Sequence, residues 1–200
     1  MAQYPSKLNS LIALLKKLPG VGTKSAERFA FHLLKWEEDE LKELGEVIED
    51  IKKNTPICPE CRCFLSYDNH CQFCNNPKRN RKALCILSSP KDVYAFENTQ
   101  SFHGIYHIID RLLSPMQEID EDPLHMDRLL EKIQKYQVEE LIIALDSTLE
   151  GDATALYIKN QLEKFSIKIS RLAFGLPIGS SLDFIDEGTL ARALIGRQTF

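Results

Sequence analysis

The feature that most constrains this chain is a pair of Cys-x2-Cys motifs in one short segment. Cys58 and Cys61 form the first pair and Cys71 and Cys74 the second, within residues 56–77. The segment is too short to build a hydrophobic core of its own, but four thiolates at these spacings can surround Zn²⁺ and supply the missing folding energy. Because the cysteines would fill every coordination position, the sequence predicts one structural zinc ion per chain and no catalytic one.

Other residues near these motifs leave alternatives open. Cys63 could exchange with Cys61 as a ligand, although the Cys-x2-Cys register favours Cys61, and His70 is a weaker alternative. Cys85 falls in an apolar run and is expected to be a buried small residue. A redox role for the paired cysteines competes with the metal site, but no βαβ pattern surrounds them. Clustered reduced thiols and the absence of an apolar leader predict a cytoplasmic protein.

Apolar periodicity divides the chain into segments of different type. Residues 6–54 repeat leucine and isoleucine at spacings of three and four, which is typical of amphipathic helices. After the cysteine segment, short apolar runs at 83–87, 104–109, 141–145 and 167–173 alternate with helical patterns at 126–136, 153–165 and 190–194. This alternation predicts a parallel sheet covered by helices. The expected divisions are 1–54, 55–78, 79–175 and 176–200.

A glycine-containing turn separates the first two predicted helices. Pro19 and Gly20 are expected to end the first helix, and Thr23 to cap the second. Gly20 and Gly22 would let the backbone approach a phosphate, and Lys24 and Arg28, four residues apart, would neutralise neighbouring phosphates. This is the arrangement of a helix-hairpin-helix, which holds the DNA backbone without reading base sequence. The alternative is an ordinary helical turn. In the same stretch, Phe29, Phe31 and Leu33 are expected in the core, and His32 is expected to be a surface or half-buried residue rather than a ligand.

The charge distribution supports a nucleic-acid partner more than the net charge of −4 does. Residues 1–36 contain a single acid, Glu27, and many bases: Lys7, Lys16, Lys17, Lys24, Arg28 and Lys35. A second basic group follows the cysteines at Lys78, Arg79, Arg81 and Lys82. Acids predominate in the rest of the chain. The asymmetry predicts that the N-terminal part faces phosphates, although a solvated helix face would show the same pattern.

Three carboxylates follow the apolar run at 141–145. Asp146 comes directly after it, and Glu150 and Asp152 lead into the next predicted helix. The carboxyl edge of a parallel sheet is where α/β folds place ligands, so these residues are expected to gather there and could hold Mg²⁺. Acids in the first turn of a helix also complement its dipole, which is the simpler explanation.

The order of these segments resembles the bacterial recombination mediator family RecR over essentially the whole chain. The stretches that carry the resemblance are residues 18–28, 30–34, 90–93, 113–115, 150–157, 175–179 and 189–194. The resemblance implies an α+β protein in several parts: an N-terminal helix-hairpin-helix, a four-cysteine zinc finger and a C-terminal α/β Toprim-like domain with a parallel sheet. A C-terminal motif and helix would follow.

The resemblance also implies a function. It predicts a non-enzymatic, nucleoid-associated repair factor that binds single- and double-stranded DNA and acts with RecO, and in some settings RecF, to load RecA on single-stranded gaps. A homo-oligomer, a tetrameric ring or a dimer, is expected. Asp146, Glu150 and Asp152 would contact a partner or DNA.

Two alternatives belong to other functional classes. Catalytic Toprim domains place a glutamate after the first strand and an Asp-x-Asp pair later, whereas this chain has Ser88 and Thr148 at the first and last of these positions. The incomplete set counts against a magnesium-dependent nuclease or primase. The other alternative is a zinc-stabilised scaffold that binds only protein, and the order of Gly20, Gly22, Lys24 and Arg28 counts against it.

Overall fold

The computed structural model describes residues 4–114, 122–173 and 175–197. The acidic segment after Ser114 and the last position of the 113–115 stretch lie outside these ranges. The chain divides into two compact units, Met1–Asn54 and Thr55–Phe200. Within the described residues, no helix is long and apolar enough to span a bilayer.

The first unit contains three helices: α1 (Ser6–Leu15), α2 (Thr23–Leu33) and α3 (Glu38–Asn54). α1 and α2 pack through a small core around Ile12, Ala26 and Ala30. The small alanine side chains let the two helices approach closely. α1 ends at Leu15, before the expected stop at Pro19, and residues 16–20 form a turn.

The third helix carries an amphipathic pattern but buries nothing in this unit. None of its described residues is buried, and Ile48 and Ile51 are 63% and 57% exposed. With Leu41 and Leu44 they recur at helical spacing, so one apolar face of α3 is left open to solvent.

The second unit is built on a parallel sheet of four strands in the order β2-β1-β3-β4. Its elements are β1 (Asn80–Leu87), α4 (Pro90–Thr99), β2 (Gly104–Ile108), α5 (Met126–Tyr136), β3 (Glu140–Ala144), α6 (Leu149–Gln161), β4 (Lys168–Arg171), a 3₁₀ turn (Leu182–Phe184) and α7 (Glu187–Ile195). The sheet pairs Leu87 with both Ile108 and Ala144 at the carboxyl ends of three strands. The predicted α+β architecture with a parallel sheet is confirmed.

Side chains alternate between the two faces of β1. Leu84 and Ile86 join a core that contains residues of α5 and α6, whereas Cys85 and Leu87 join a second core with α4. Alternation with a period of two is what a strand imposes when both of its faces are covered. The sheet is therefore buried on both sides.

Two helices differ from the sequence expectation. α6 begins at Leu149 rather than Ala153, because the Thr148 hydroxyl accepts a hydrogen bond from the Gly151 amide and starts the helix earlier. Apolar spacing did not predict α4. Its signal lies in Ser89, which caps the helix through the Lys91 amide, and in Pro90 at the first helical position.

Candidate metal centre and nucleic-acid surface

The cysteine segment begins with a tight turn that carries the first Cys-x2-Cys pair. The Cys58 amide donates to the Cys63 carbonyl at 2.8 Å, and the Arg62 amide donates to the Cys58 carbonyl at 3.0 Å. Arg62 takes a left-handed backbone conformation with φ of 67°, which reverses the chain between Cys61 and Cys63. Backbone hydrogen bonds within the turn thus set the positions of the first pair.

The second pair lies in a similar turn. The Cys71 amide donates to Asn75 Oδ1 and the Asn75 amide to the Cys71 carbonyl, both at 3.0 Å. The Cys74 amide points at Cys71 Sγ, 3.4 Å away. An N–H directed at sulfur favours the thiolate form that a metal ion requires.

The two turns bring four sulfurs together. The Sγ atoms of Cys58, Cys61, Cys71 and Cys74 all lie within 4.8 Å of one another. Cys61 and Cys71 are 3.5 Å apart and Cys58 and Cys74 are 4.0 Å apart. Sulfurs bound tetrahedrally to Zn²⁺ would be about 3.8 Å apart, given the usual Zn–S length of about 2.3 Å. The cluster can therefore hold one metal ion.

The titration of these thiols reflects their crowding. Hydrogen bonds from Cys61 and its neighbours lower the pKa of Cys58, whereas the interaction with Cys58 raises the pKa of Cys61 to about 12. The pKa values of Cys71 and Cys74 are also raised, first by Cys58. One thiolate in this group thus opposes ionisation of the others, and only a bound cation would stabilise several of them together.

The remaining cysteines lie outside this sulfur cluster. Cys63 and Cys85 are fully buried in the second core. Burial raises the pKa of Cys85 to about 12, as expected for a thiol that serves as a small apolar side chain. Within the described ranges, the only group of metal-ligating side chains is the four-cysteine cluster.

The cysteine segment is part of the core beneath it. Cys58, Cys61 and Phe73 pack with Leu87 and Tyr106 on the face of the sheet that α4 also covers. The Cys61 carbonyl accepts a hydrogen bond from the Ile108 amide at 3.1 Å. The segment therefore closes one side of the sheet rather than folding apart from it.

A buried lysine lies near the sulfurs, and sequence reasoning missed it. Lys132 is 4% exposed, and its Nζ donates to the Tyr106 carbonyl at 2.8 Å. Burial lowers the pKa of its ammonium group, while nearby Cys74 and Cys61 act in the opposite direction. Its place among Leu129 and Ile133 on α5 was the available signal, because a lysine on an apolar stripe needs a polar partner.

The basic group after the cysteines is largely engaged in structure. Arg79 pairs with Glu97, donates to the Gly104 carbonyl at 2.8 Å and lies over the Phe73 ring. Lys82 pairs with Glu139 at 2.6 Å. Arg79 thus links the cysteine segment to α4 and β2, whereas Lys82 pairs across the starts of β1 and β3.

The turn between α1 and α2 has the geometry of a helix-hairpin-helix. Gly20 has φ of 77°, a conformation that favours glycine, and Gly22 occupies the N-cap position of α2. The expectation that Thr23 caps α2 is wrong, since Thr23 is the first helical residue and no side chain caps this end. A glycine cap has no side-chain acceptor, so the first amides of α2 remain suited to an external anion.

Lys24 and Arg28 lie one turn apart on α2, and both are exposed. The expectation that Phe29 and Phe31 belong to the core is wrong, since they are 40% and 43% exposed. The face of α2 that packs on α1 consists of alanines, and the aromatic side chains lie elsewhere on the helix. His32 is exposed, as expected for a helix-surface residue.

The carboxyl edge of the sheet brings Ser88 and Asp146 to the ends of adjacent strands, β1 and β3. The Asp152 carboxylate pairs with Arg171 at 2.6 Å and with Arg192 on α7 at 3.4 Å. Over the described parts of the chain, Asp146, Glu150 and Asp152 do not form a metal-ligating group. The structure therefore does not bring the three carboxylates together as one ligand group, and Asp152 is engaged by arginines instead.

Comparison with known proteins agrees with this organisation. The family model for the RecR helix-hairpin-helix matches residues 8–52, that for the Toprim domain matches 82–173, and that for the RecR C-terminal region matches 175–198. A relative named recombination protein RecR from Protochlamydia amoebophila is 50% identical over 198 residues, which are 99% of this chain and 100% of the relative. A relative of the same name from Chlamydia abortus is 45% identical over 203 residues, 100% of both chains.

The hairpin, the four-cysteine centre and the parallel sheet define a multidomain protein that combines a helix-hairpin-helix with a Toprim domain. The full-length identity to these relatives places the chain more closely: it belongs to the RecR family of recombination proteins.

Proposed function

We propose that this protein is a non-enzymatic mediator that binds DNA and acts with RecO, and in some settings RecF, to help RecA load on single-stranded gaps. The observation that carries this proposal is the exposed pair Lys24 and Arg28, one turn apart beside the glycine turn. Their two charges fit successive phosphates, and the glycine turn that leads into α2 adds backbone amide donors at Gly20 and Gly22. Such contacts recognise the backbone of single and double strands without base specificity.

The four-cysteine cluster would hold a structural Zn²⁺. Four sulfurs at near-tetrahedral spacing leave the ion no open position, so Cys58, Cys61, Cys71 and Cys74 would fix the segment against the sheet rather than perform chemistry. Lys132, buried nearby, would offset the negative charge that four thiolates leave on a zinc centre.

The acidic edge would serve binding rather than catalysis. Ser88 and Thr148 stand where magnesium-dependent Toprim enzymes have acids, and Asp152 pairs with arginines. Asp146 is exposed and Glu150 half-buried beside it, so this edge would contact RecO or DNA. Asp152, through Arg192, would hold the C-terminal helix α7 at the same edge.

The open apolar face of α3 supports a homo-oligomer. Leu41, Leu44, Ile48 and Ile51 lie on one side of a helix that buries no described residue. A second copy of the same face would cover these side chains, and further contacts would extend a dimer to a tetrameric ring. The functional divisions would be 1–54 for DNA, 55–78 for zinc, 79–175 for partners and 176–200 for the C-terminal helix, in a cytoplasmic, nucleoid-associated protein.

The test is a salt titration on end-labelled gapped DNA with Mg²⁺, in which bound complex and strand length are read from the same samples. The mediator requires salt-sensitive binding with intact strands. Shortened strands would instead support a Toprim nuclease, and absence of binding at low salt would favour a scaffold that binds only protein.

The mediator role itself is measured with RecA. Gapped DNA covered by single-strand-binding protein is incubated with RecA and RecO, and the DNA-dependent ATPase activity of RecA reports loading. Adding this protein should shorten the lag before ATP hydrolysis, and an unchanged lag at saturating concentrations would contradict the proposal.

A further inference from the structure

One face of α2 and the turn after it continues beyond the two proposed phosphate contacts. Lys24 and Arg28 are followed on the same stripe by Phe31, His32 and Lys35, at the three- and four-residue spacings of neighbouring side chains on a helix. All five are exposed. The stripe therefore leads from the proposed phosphate site to an aromatic surface on the same element.

Part of this stripe is concave. A groove of about 450 Å³ is lined by Arg28, Phe29, Phe31, His32 and Lys35. The lining contains two phenylalanine rings and two permanent cations, and it contains no carboxylate. Arg28 lies 5.5 Å from the centre of the Phe29 ring, so positive charge and an aromatic surface occupy the same patch.

We propose that this groove receives unpaired bases of single-stranded DNA, while the phosphates of the same strand lie on Lys24 and Arg28. The inference rests on the proposed DNA-binding function and adds that the hairpin distinguishes single strands from duplex. Proteins that bind single strands without sequence preference combine a positive track for phosphates with aromatic side chains on which bases stack. In a duplex the base faces are already stacked, so only the phosphate contacts would remain.

The charge of the groove identifies its occupant. An isologous contact with a second copy would bring Arg28 and Lys35 against the same cations, which is unfavourable. A single strand presents the opposite charge together with flat apolar faces. Charge complementarity therefore favours nucleic acid over a second copy of this surface.

The chain contains a natural reporter for this groove. Trp36 is the only tryptophan, and its ring centre lies 6.3 Å from that of His32, which lines the groove. A base that stacks in the groove should quench the fluorescence of Trp36. A backbone that carries no bases should leave it nearly unchanged.

The experiment compares three labelled probes in the full-length protein by fluorescence anisotropy: oligothymidylate, an abasic oligonucleotide of the same length and a duplex. The variant is Phe29→Ala with Phe31→Ala, and the control is Phe184→Ala, which removes a ring that is 85% exposed in the other unit. The double variant should lose about 5-fold or more in affinity for oligothymidylate, the lower end expected from base stacking. Its affinity for the abasic strand and the duplex should match that of the wild type.

Each other outcome has a distinct meaning. Equal losses on all three probes, or none on oligothymidylate, would overturn the base-binding groove. Quenching of Trp36 by the abasic strand as strongly as by oligothymidylate would also overturn the base-binding groove. A double variant that sediments as a smaller assembly than the wild type would overturn it too, because the rings would then belong to a contact between copies. If the wild type binds none of the probes, the proposed DNA-binding function itself fails.

Discussion

The salt dependence of DNA binding gives the sharpest test of the hairpin. The perturbation is Lys24→Ala with Arg28→Ala. Both side chains are exposed on α2, and neither belongs to the small core around Ile12 that holds α1 and α2 together. The double variant should therefore fold normally and lose two phosphate contacts.

The magnitude follows from counterion release. Each phosphate contact on a single strand contributes about 0.7 to the slope of log K against log salt, so two lost contacts lower the slope by about 1.4. Relative to about 1 M salt, where the electrostatic contribution vanishes, this corresponds to about a 25-fold loss of affinity at about 0.1 M.

The assay is fluorescence anisotropy with a labelled oligonucleotide at several salt concentrations. The matched control is Lys52→Ala with Lys53→Ala, which removes the same charge from the exposed last turn of α3. The hairpin variant should show the shallower slope and the control should keep nearly the wild-type slope. Equal slopes in wild type and hairpin variant, or equal losses in hairpin variant and control, would refute specific phosphate contacts at Lys24 and Arg28.

Three further predictions concern the stability of the protein. Removal of bound metal with a chelator should lower the midpoint of thermal unfolding, measured by circular dichroism, because the cysteine segment forms part of the core. An unchanged midpoint in protein verified to be metal-free would show that the metal is dispensable. Gly151→Ala should lower the free energy of unfolding in urea by about 1–3 kcal/mol, since a Cβ there would lie 2.0 Å from the Asp146 carbonyl oxygen. The control Gly45→Ala, on an exposed helix with nothing within 4 Å of the added Cβ, should raise it by about 0.5–1 kcal/mol. An unchanged stability of Gly151→Ala would contradict the close contact. Burial lowers the pKa of His107 from 6.5 to about 3. Between pH 6.5 and about pH 3 the folded state therefore binds fewer protons than the unfolded state. The free energy of unfolding should fall by about 1.4 kcal/mol per pH unit as the pH drops below 6.5. The variant His107→Gln should lose about 2 kcal/mol less than the wild type between about pH 6.5 and pH 5, and parallel losses would show that His107 does not contribute.

Much of the fold is readable from local patterns. The helical spacing of residues 6–54 and the apolar runs of the sheet depend on periodicities of 3.6 and 2, which the sequence carries directly. The ends of helices depend on single capping contacts instead. Thr148 moves the start of α6 and Ser89 begins α4, and periodicity alone detects neither.

The site residues divide in the same way. The sequence spacing indicates a four-sulfur group because the two pairs lie in one short segment, and the structure brings those sulfurs within 4.8 Å. The sequence could not show that Asp152 pairs with Arg171 and Arg192, because these arginines come from later elements of the chain. Lys132 on α5 likewise needs the Tyr106 carbonyl on β2, a partner distant in sequence, to be tolerated in the core.

The sequence by itself determined the modules, their order, the candidate sulfur ligands and the cationic pair on α2, since each depends on residues close together in the chain. Only the tertiary structure decided which side chains are left exposed. Phe29 and Phe31 are as apolar as any core residue, but α1 packs against Ala26 and Ala30, so the aromatic rings remain at the surface. Burial is a property of what packs against a residue, and that partner is set by contacts distant in sequence.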